Sequence, residues 1–421
     1  MHRGECGKVP ADVCEPHSGE VEAFGSTGRF FLISDGKPSS TKELLGSTFL
    51  KRRKFLGFLG QAAAVSQFTP FAFLPAVLEK PGRARSTETM HWPKDIGSPV
   101  LDSLHYAIES SRDVQTNYDK VVEVASWMAY EELPMPEYAL PFGLSQGDPD
   151  VAVDFVMVAD SIDTAFTDFA KYEKFQVDFA GQHWSDSEAE FACIKRAMDN
   201  GMPFLDGKFL AKVTRPELNK VFEGNIEMPM LDEKLAVLHE VGKVLSEKYD
   251  GKFHKFVRSC SPKLYDSGNG LIDRLVKEFP RFNDVSMLDG HEIKFYKLPQ
   301  LGVWMLYATL HKSDKFRLDD PQKMTAFADY IVPVALRLMG ITSYSKELEH
   351  AINTYQLIPR DSRWEIELRA HCLYATALMT DEINKLRPAN LQIIIPQVDA
   401  RLWTHYHTTT WPHHLTQTIM Y

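Results

Sequence analysis

The chain has 421 residues, 44% hydrophobic and 25% charged, a globular composition with enough apolar material for a large core. Its formal net charge of −10 argues against the basic stripe of a protein that grips a long phosphate backbone, so a small-molecule substrate fits better. The five cysteines (Cys6, Cys14, Cys193, Cys260, Cys372) share no CxxC or CxxH spacing, which indicates neither a disulfide framework nor a zinc ribbon.

Residues 1–50, rich in Gly, Ser, Lys and Glu, are expected to form a disordered extension. Composition then shifts. Over 51–85, Lys51-Arg52-Arg53-Lys54-Phe55-Leu56 precedes a mildly apolar stretch with Pro70 and Pro75 and a small-residue exit at Gly82-Arg83-Ala84. Two readings stand: a twin-arginine export signal, or an amphipathic anchor at a membrane surface. No later run reaches transmembrane length, so residues 90–421 are expected to form one soluble domain.

That body reads as mostly α. Val121, Ala125 and Met128 keep helical spacing, and residues 154–166 are apolar enough to continue as a helix. Phe175, Val177 and Phe179 alternate up to Ala180-Gly181, the pattern of a strand entering a tight turn. A helix over 189–200 stops at Gly201, and Thr214-Arg215-Pro216-Glu217 is a capping box that starts another. Leu231, Leu235, Leu238, Gly242, Leu245 and Tyr249 form one apolar stripe. Asp289-Gly290 between two short alternating runs predicts a hairpin, followed by Lys297 at a strand-to-helix junction and a helix over 301–310. Such a lysine is either solvated or holds a phosphate with help from the helix amides.

Phe327-Ala328-Asp329-Tyr330-Ile331-Val332-Pro333 sets an acid between two aromatics, four residues before a proline. Continued helical spacing at Ile331, Val334 and Leu338 predicts a helix kinked at the Asp329 carbonyl. Asp329 is then either a surface acid or a partly buried catalytic carboxylate. The helix over 365–384 is apolar on most sides, with Glu365 and Arg369 paired at i and i+4 and Glu367 facing elsewhere. Val398-Asp399 and Leu402-Trp403 place a further acid beside an aromatic. His405, His407, His413 and His414 match no standard metal spacing and suggest an irregular strap. With no GxSxG elbow and no Gly-rich phosphate loop, what remains is an acid-based site using Asp329 and Asp399, with Lys297 as the cation.

From about residue 98 to 421, the chain resembles the queuosine salvage family, the queuosine 5′-phosphate N-glycosylases. The matching stretches are VDFVMVADSID (153–163), Met228-Pro229-Met230-Leu231, Phe279-Pro280-Arg281-Phe282-Asn283-Asp284, Phe295-Tyr296-Lys297 with Gln300, TAFADYIVP (325–333), Tyr344-Ser345 with Leu348, EIELR (365–369), Val398-Asp399 with Leu402-Trp403, and Pro412, His414 and Tyr421. The resemblance implies a single helical domain related to helical DNA glycosylases, with a small antiparallel β-hairpin sheet. It implies an N-glycosidase that releases a queuine-like 7-deazaguanine base from its nucleoside 5′-monophosphate, for reuse in transfer RNA. Asp329 would be the catalytic carboxylate, Phe327 the ring against the base, Asp399 an acceptor for base N–H groups and Lys297 the phosphate contact. Glu131, Asp163, Tyr330, Trp403 and His414 would complete the substrate pocket.

No cofactor and no metal is implied, the partner being a small nucleotide, with no stable nucleic-acid complex and no integral membrane span in the body. The family setting implies a cytoplasmic monomer, in tension with the Arg52-Arg53 signal. The chain also departs from the family pattern. Asp163-Thr164 and Phe166-Thr167 replace an Asn-Phe and a Phe-Trp, Ser187-Glu188 replaces a Tyr-Trp, Glu131 stands in place of a base-contacting His, and Ile331 and Val334 replace an Arg and a Gln. Lost stacking rings contribute about 1–3 kcal/mol each in comparable settings, so the base pocket is expected to have altered specificity. The alternative is a non-catalytic or specificity-shifted nucleotide-binding relative.

Overall fold

The computed structural model describes residues 90–135, 140–170, 172–312 and 316–421. The expected extension at 1–50 and the signal or anchor at 51–85 lie outside the described residues. Helices dominate: Tyr118–Met128 (α1), Pro149–Asp160 (α2), Asp186–Asp199 (α3), Leu231–Lys248 (α4), Lys297–Leu310 (α5), Ile331–Leu338 (α6), Arg363–Leu386 (α7) and Ile395–Tyr406 (α8). Shorter helices lie between them, among them Arg215–Val221, which begins at the expected Thr214–Glu217 capping box.

Two hairpins form where turn chemistry asks for them. Gln176–Phe179 (β2) pairs with Gln182–Ser185 (β3) across Ala180-Gly181, and Val285–Leu288 (β4) pairs with His291–Lys294 (β5) across Asp289-Gly290. All four turn residues have positive φ, which suits a two-residue connection. A third antiparallel pair joins distant segments, Val114–Thr116 (β1) with Thr342–Tyr344 (β6).

The core centres on α7, which packs against α1, α6, α8 and β1. Ala370, Cys372, Leu373, Ala375, Ala377 and Leu378 are all buried, and so are Glu365, Glu367 and Arg369, so the helix is enclosed on every side over much of its length. Burying a large aliphatic side chain contributes about 1.5–3 kcal/mol, far more than helix propensity, so neighbours rather than local preference hold α7 in place. On the other side, α2 packs on α5. Gly302 makes that approach possible, because a Cβ there would lie 2.5 Å from an Asp160 carboxylate oxygen. No helix among the described residues is long and apolar enough to cross a membrane.

Two expected elements end elsewhere. The helix over 154–166 stops at Asp160, and residues 162–166 leave it as a chain clamped by other side chains. The kinked helix through Asp329 does not exist: α6 begins at Ile331, placing Pro333 in its first turn. There the missing N–H costs nothing, because first-turn amides have no intrahelical partner.

Candidate active site

The segment Thr325–Tyr330 is non-helical and is held from three sides. Gln300 of α5 accepts from the Thr325 N–H and donates to its hydroxyl, both at 2.9 Å. Asp399 of α8 accepts the Phe327 N–H at 2.9 Å, and Arg369 of α7 donates through Nε to the Ala328 carbonyl at 3.0 Å. Asp329 follows, its N–H closing a tight turn onto the Phe327 carbonyl at 2.7 Å. Its Oδ1 accepts from the N–H groups of Ile331 at 2.8 Å and Val332 at 3.0 Å. The acid thus caps the helix that follows it, satisfying two amides that would otherwise lack partners.

Burial raises the Asp329 carboxyl above the usual range, and the Val332 amide, the Lys297 charge and the Ile331 amide oppose that rise. Asp399 is pushed well above its usual value, chiefly by burial and then by the neighbouring Asp329 charge, against the Phe327 amide and Lys297. Burial thus pushes both acids toward the neutral form, while the charge of Lys297 favours the ionised form of each.

Lys297 opens α5, after Tyr296 turns the chain at φ 48°. Its backbone N–H points at Asp284 Oδ2 at 3.4 Å, and its ammonium lies 3.4 Å from Asp163 Oδ2. Asp284 in turn takes a two-pronged bond from Arg369, with Nη1 at 3.0 Å from Oδ1 and Nη2 on Oδ2. The Arg369 guanidinium is sandwiched between the rings of Phe295 at 3.9 Å and Tyr421 at 4.2 Å. One buried arginine therefore ties the carbonyl before Asp329 to the acid that anchors the Lys297 backbone. Glu365 also meets Arg369, at 3.4 Å as expected, but both are fully buried rather than exposed.

An aromatic cleft of about 480 Å³, open solvent at its mouth included, adjoins this constellation. Phe166, Phe169, Tyr172, Tyr330, His413 and Tyr421 supply its rings. The Tyr330 and His413 rings meet at a 31° tilt, with centroids 4.5 Å apart. His414, on the same wall, is pushed down to about 3 by burial and by its neighbour His413, so its imidazole is neutral and sits 3.4 Å from the Tyr421 hydroxyl. Asp329 is not among the residues lining the cleft, whereas Tyr330, next to it in the chain, is.

Of the residues singled out from sequence, Asp329, Phe327, Asp399, Lys297, Asp163 and Tyr330 come together, and His414 joins them through the cleft. Trp403 lies one turn from Asp399 on α8, stacked on His407 at 4.5 Å. Glu131 is committed to Arg401, whose guanidinium grips both carboxylate oxygens at 2.7 and 3.1 Å. The expected histidine strap is partly helix: His405 lies in α8 and His407 caps it, while His413 and His414 belong to the C-terminal segment. Sequence reasoning missed the bond from Arg369 to Ala328 and the contact of His413 with Tyr330. An arginine set in a largely apolar stretch was the available signal for the first; the second carries no local signal.

The Queuosine salvage protein family model matches residues 144–421. The queuosine 5′-phosphate N-glycosylase/hydrolase of Sphaerobacter thermophilus is 31% identical over 326 residues, covering 76% of this chain and 97% of the relative. Its namesakes from Bos taurus (29% over 287 residues, 66% of this chain and 83% of the relative) and Mus musculus (26% over 321 residues, 74% and 94%) also match. A match of this extent, laid over the motifs that build the Asp329 constellation, places the chain in the queuosine salvage protein family.

Proposed function

We propose that the protein is an N-glycoside hydrolase that releases a queuine-like 7-deazaguanine base from its nucleoside 5′-monophosphate, with Asp329 as the catalytic carboxylate. The observation that carries this reading is the setting of Asp329: a buried acid oriented by two backbone amides, with Lys297 favouring its ionised form. Breaking the bond between the anomeric carbon and the base nitrogen leaves positive charge on the sugar ring, and an ionised carboxylate in a low-dielectric site stabilises that charge. The bonding pair leaves with the base nitrogen, which gains a proton; water supplies the hydroxyl that ends on the anomeric carbon. Asp399, pushed toward its neutral form, orients the base, and Tyr330 and its neighbours offer the stacking surface. The curated relatives are named for hydrolysis of queuosine 5′-phosphate, which supports the same substrate class.

One observation favours a second reading, a nucleotide-binding relative that does not turn over. The Phe327 amide already occupies Asp399 Oδ1, so the acid assigned to orient the base is partly committed to the protein's own backbone. Incubation of the purified chain with queuosine 5′-phosphate and a panel of purine and deazapurine nucleotides, followed by chromatography for free base, separates the two. Release of queuine supports the hydrolase; tight binding with no base from any nucleotide supports the second reading.

A further inference from the structure

Lys297 is the cation whose charge favours ionised Asp329, and it is not a free charge: Asp163 Oδ2 lies 3.4 Å from its ammonium, with the two side chains only 9% and 13% exposed. The carboxylate has little freedom to leave. Residues 161–164 follow the end of α2, and the backbone on both sides of Asp163 is tied down. Arg281 donates through Nε to the Ser161 carbonyl, Lys234 donates to the carbonyls of Ile162 and Thr164, and the Thr164 hydroxyl donates to the Thr418 carbonyl at 3.2 Å. Those two further cations hold the backbone of this stretch, and Lys234 also meets Glu190 at 3.6 Å. Among the described residues, no lysine or arginine lines the aromatic cleft next door.

We infer that Asp163 is a built-in counter-ion that competes with the substrate's 5′-phosphate for Lys297, and so sets how strongly this protein prefers a nucleotide over the corresponding nucleoside. The inference rests on the hydrolase reading above and names a specificity determinant of the same site. A phosphate monoester carries close to two negative charges at neutral pH, and it must share one ammonium with a carboxylate fixed beside it. Like charges held together in a partly buried site weaken binding steeply, because little solvent screens them. A nucleoside, lacking the phosphate, meets no such repulsion. The site therefore discriminates less for the nucleotide than Lys297 alone would allow. Asp163→Asn removes the charge while keeping the size and the polar contact.

The test compares the intact chain with Asp163→Asn and Lys297→Gln, each checked for folding by its unfolding temperature. The ratio of kcat/KM for queuosine 5′-phosphate over queuosine is measured, and ribose 5-phosphate, ribose and inorganic phosphate are titrated calorimetrically. Asp163→Asn is expected to raise the nucleotide preference about 10-fold, equivalent to about 1.4 kcal/mol, and to tighten ribose 5-phosphate but not ribose. Lys297→Gln is expected to abolish that preference. An Asp163→Asn variant with an unchanged or lower preference overturns the inference, and weaker ribose 5-phosphate binding overturns it by making the carboxylate a direct substrate ligand. Should neither nucleoside nor nucleotide release base, the hydrolase reading fails and the titrations alone decide the role of Asp163. If Asp163→Asn does not fold, Asp163→Ser supplies the same comparison.

Discussion

Asp329 caps a helix, and the catalytic role proposed for it separates from that capping on substitution. Its Oδ1 caps α6 by accepting two amides, a task that the side-chain amide oxygen introduced by Asp329→Asn performs equally well, whereas only the carboxylate carries charge. Asp329→Asn is therefore expected to unfold within a few degrees of the parent while base release falls by about 10³-fold, the scale of losing a major electrostatic stabiliser. A variant that keeps full activity removes Asp329 from the chemistry. The pH profile gives an independent check. Because burial raises the Asp329 carboxyl, kcat/KM is expected to fall with decreasing pH along an acid limb placed above 3.8, the ordinary value. A limb at or below that value would mean that a different, solvated group is being titrated.

At the level of elements, α7 is the part that fixes the site from beneath, and Arg369 is where it does so. Arg369→Leu would leave Asp284 buried without its partner and the Ala328 carbonyl without its donor, a cost of about 3–5 kcal/mol. Arg369→Lys keeps the charge but loses the fork and the two-ring sandwich, so urea unfolding is expected to place it between the parent and the leucine variant. Equal stability of all three would show the network to be idle. Elements specified by neighbouring residues were legible from sequence. The Thr214 capping box, the turns at Ala180-Gly181 and Asp289-Gly290, and the stripe from Leu231 to Leu245 each reflect interactions within a few positions. The start of α6 was not legible, since helical spacing runs unbroken through Phe327 and Ile331. The chain leaves the helix there because Gln300, Arg369 and Asp399, remote in sequence, take up the backbone groups of residues 325–328. The end of α2 was misread for the same reason: Lys234 and Arg281 satisfy carbonyls that a longer helix would have used. The candidate site was readable as residue types and motifs, while its geometry depends on these long-range bonds.

For the whole molecule, buried acids without good partners shape the dependence of stability on pH. Asp160 is buried, neither of its carboxylate oxygens has a hydrogen bond from the protein, and burial pushes its carboxyl well above the usual range, with Asp163 adding to the rise. A raised carboxyl binds more protons folded than unfolded, so its contribution to stability is intact below about pH 4 and declines as pH climbs toward its folded value. Asp160→Asn removes that decline. Its unfolding temperature relative to the parent is expected to rise steadily from pH 4 upward; a difference independent of pH would show that Asp160 is ionised in the fold. The central proposal is that a helix-capping acid, its preceding backbone held by Arg369 and Asp399 and with Lys297 nearby, cleaves a glycosidic bond. The most direct measurement is a matched base-release assay on queuosine 5′-phosphate with the parent chain and Asp329→Asn, quantifying free queuine and ribose 5-phosphate together. Equimolar products from the parent and near-background levels from the variant are predicted, and equal product from both, or none from either, would contradict the account.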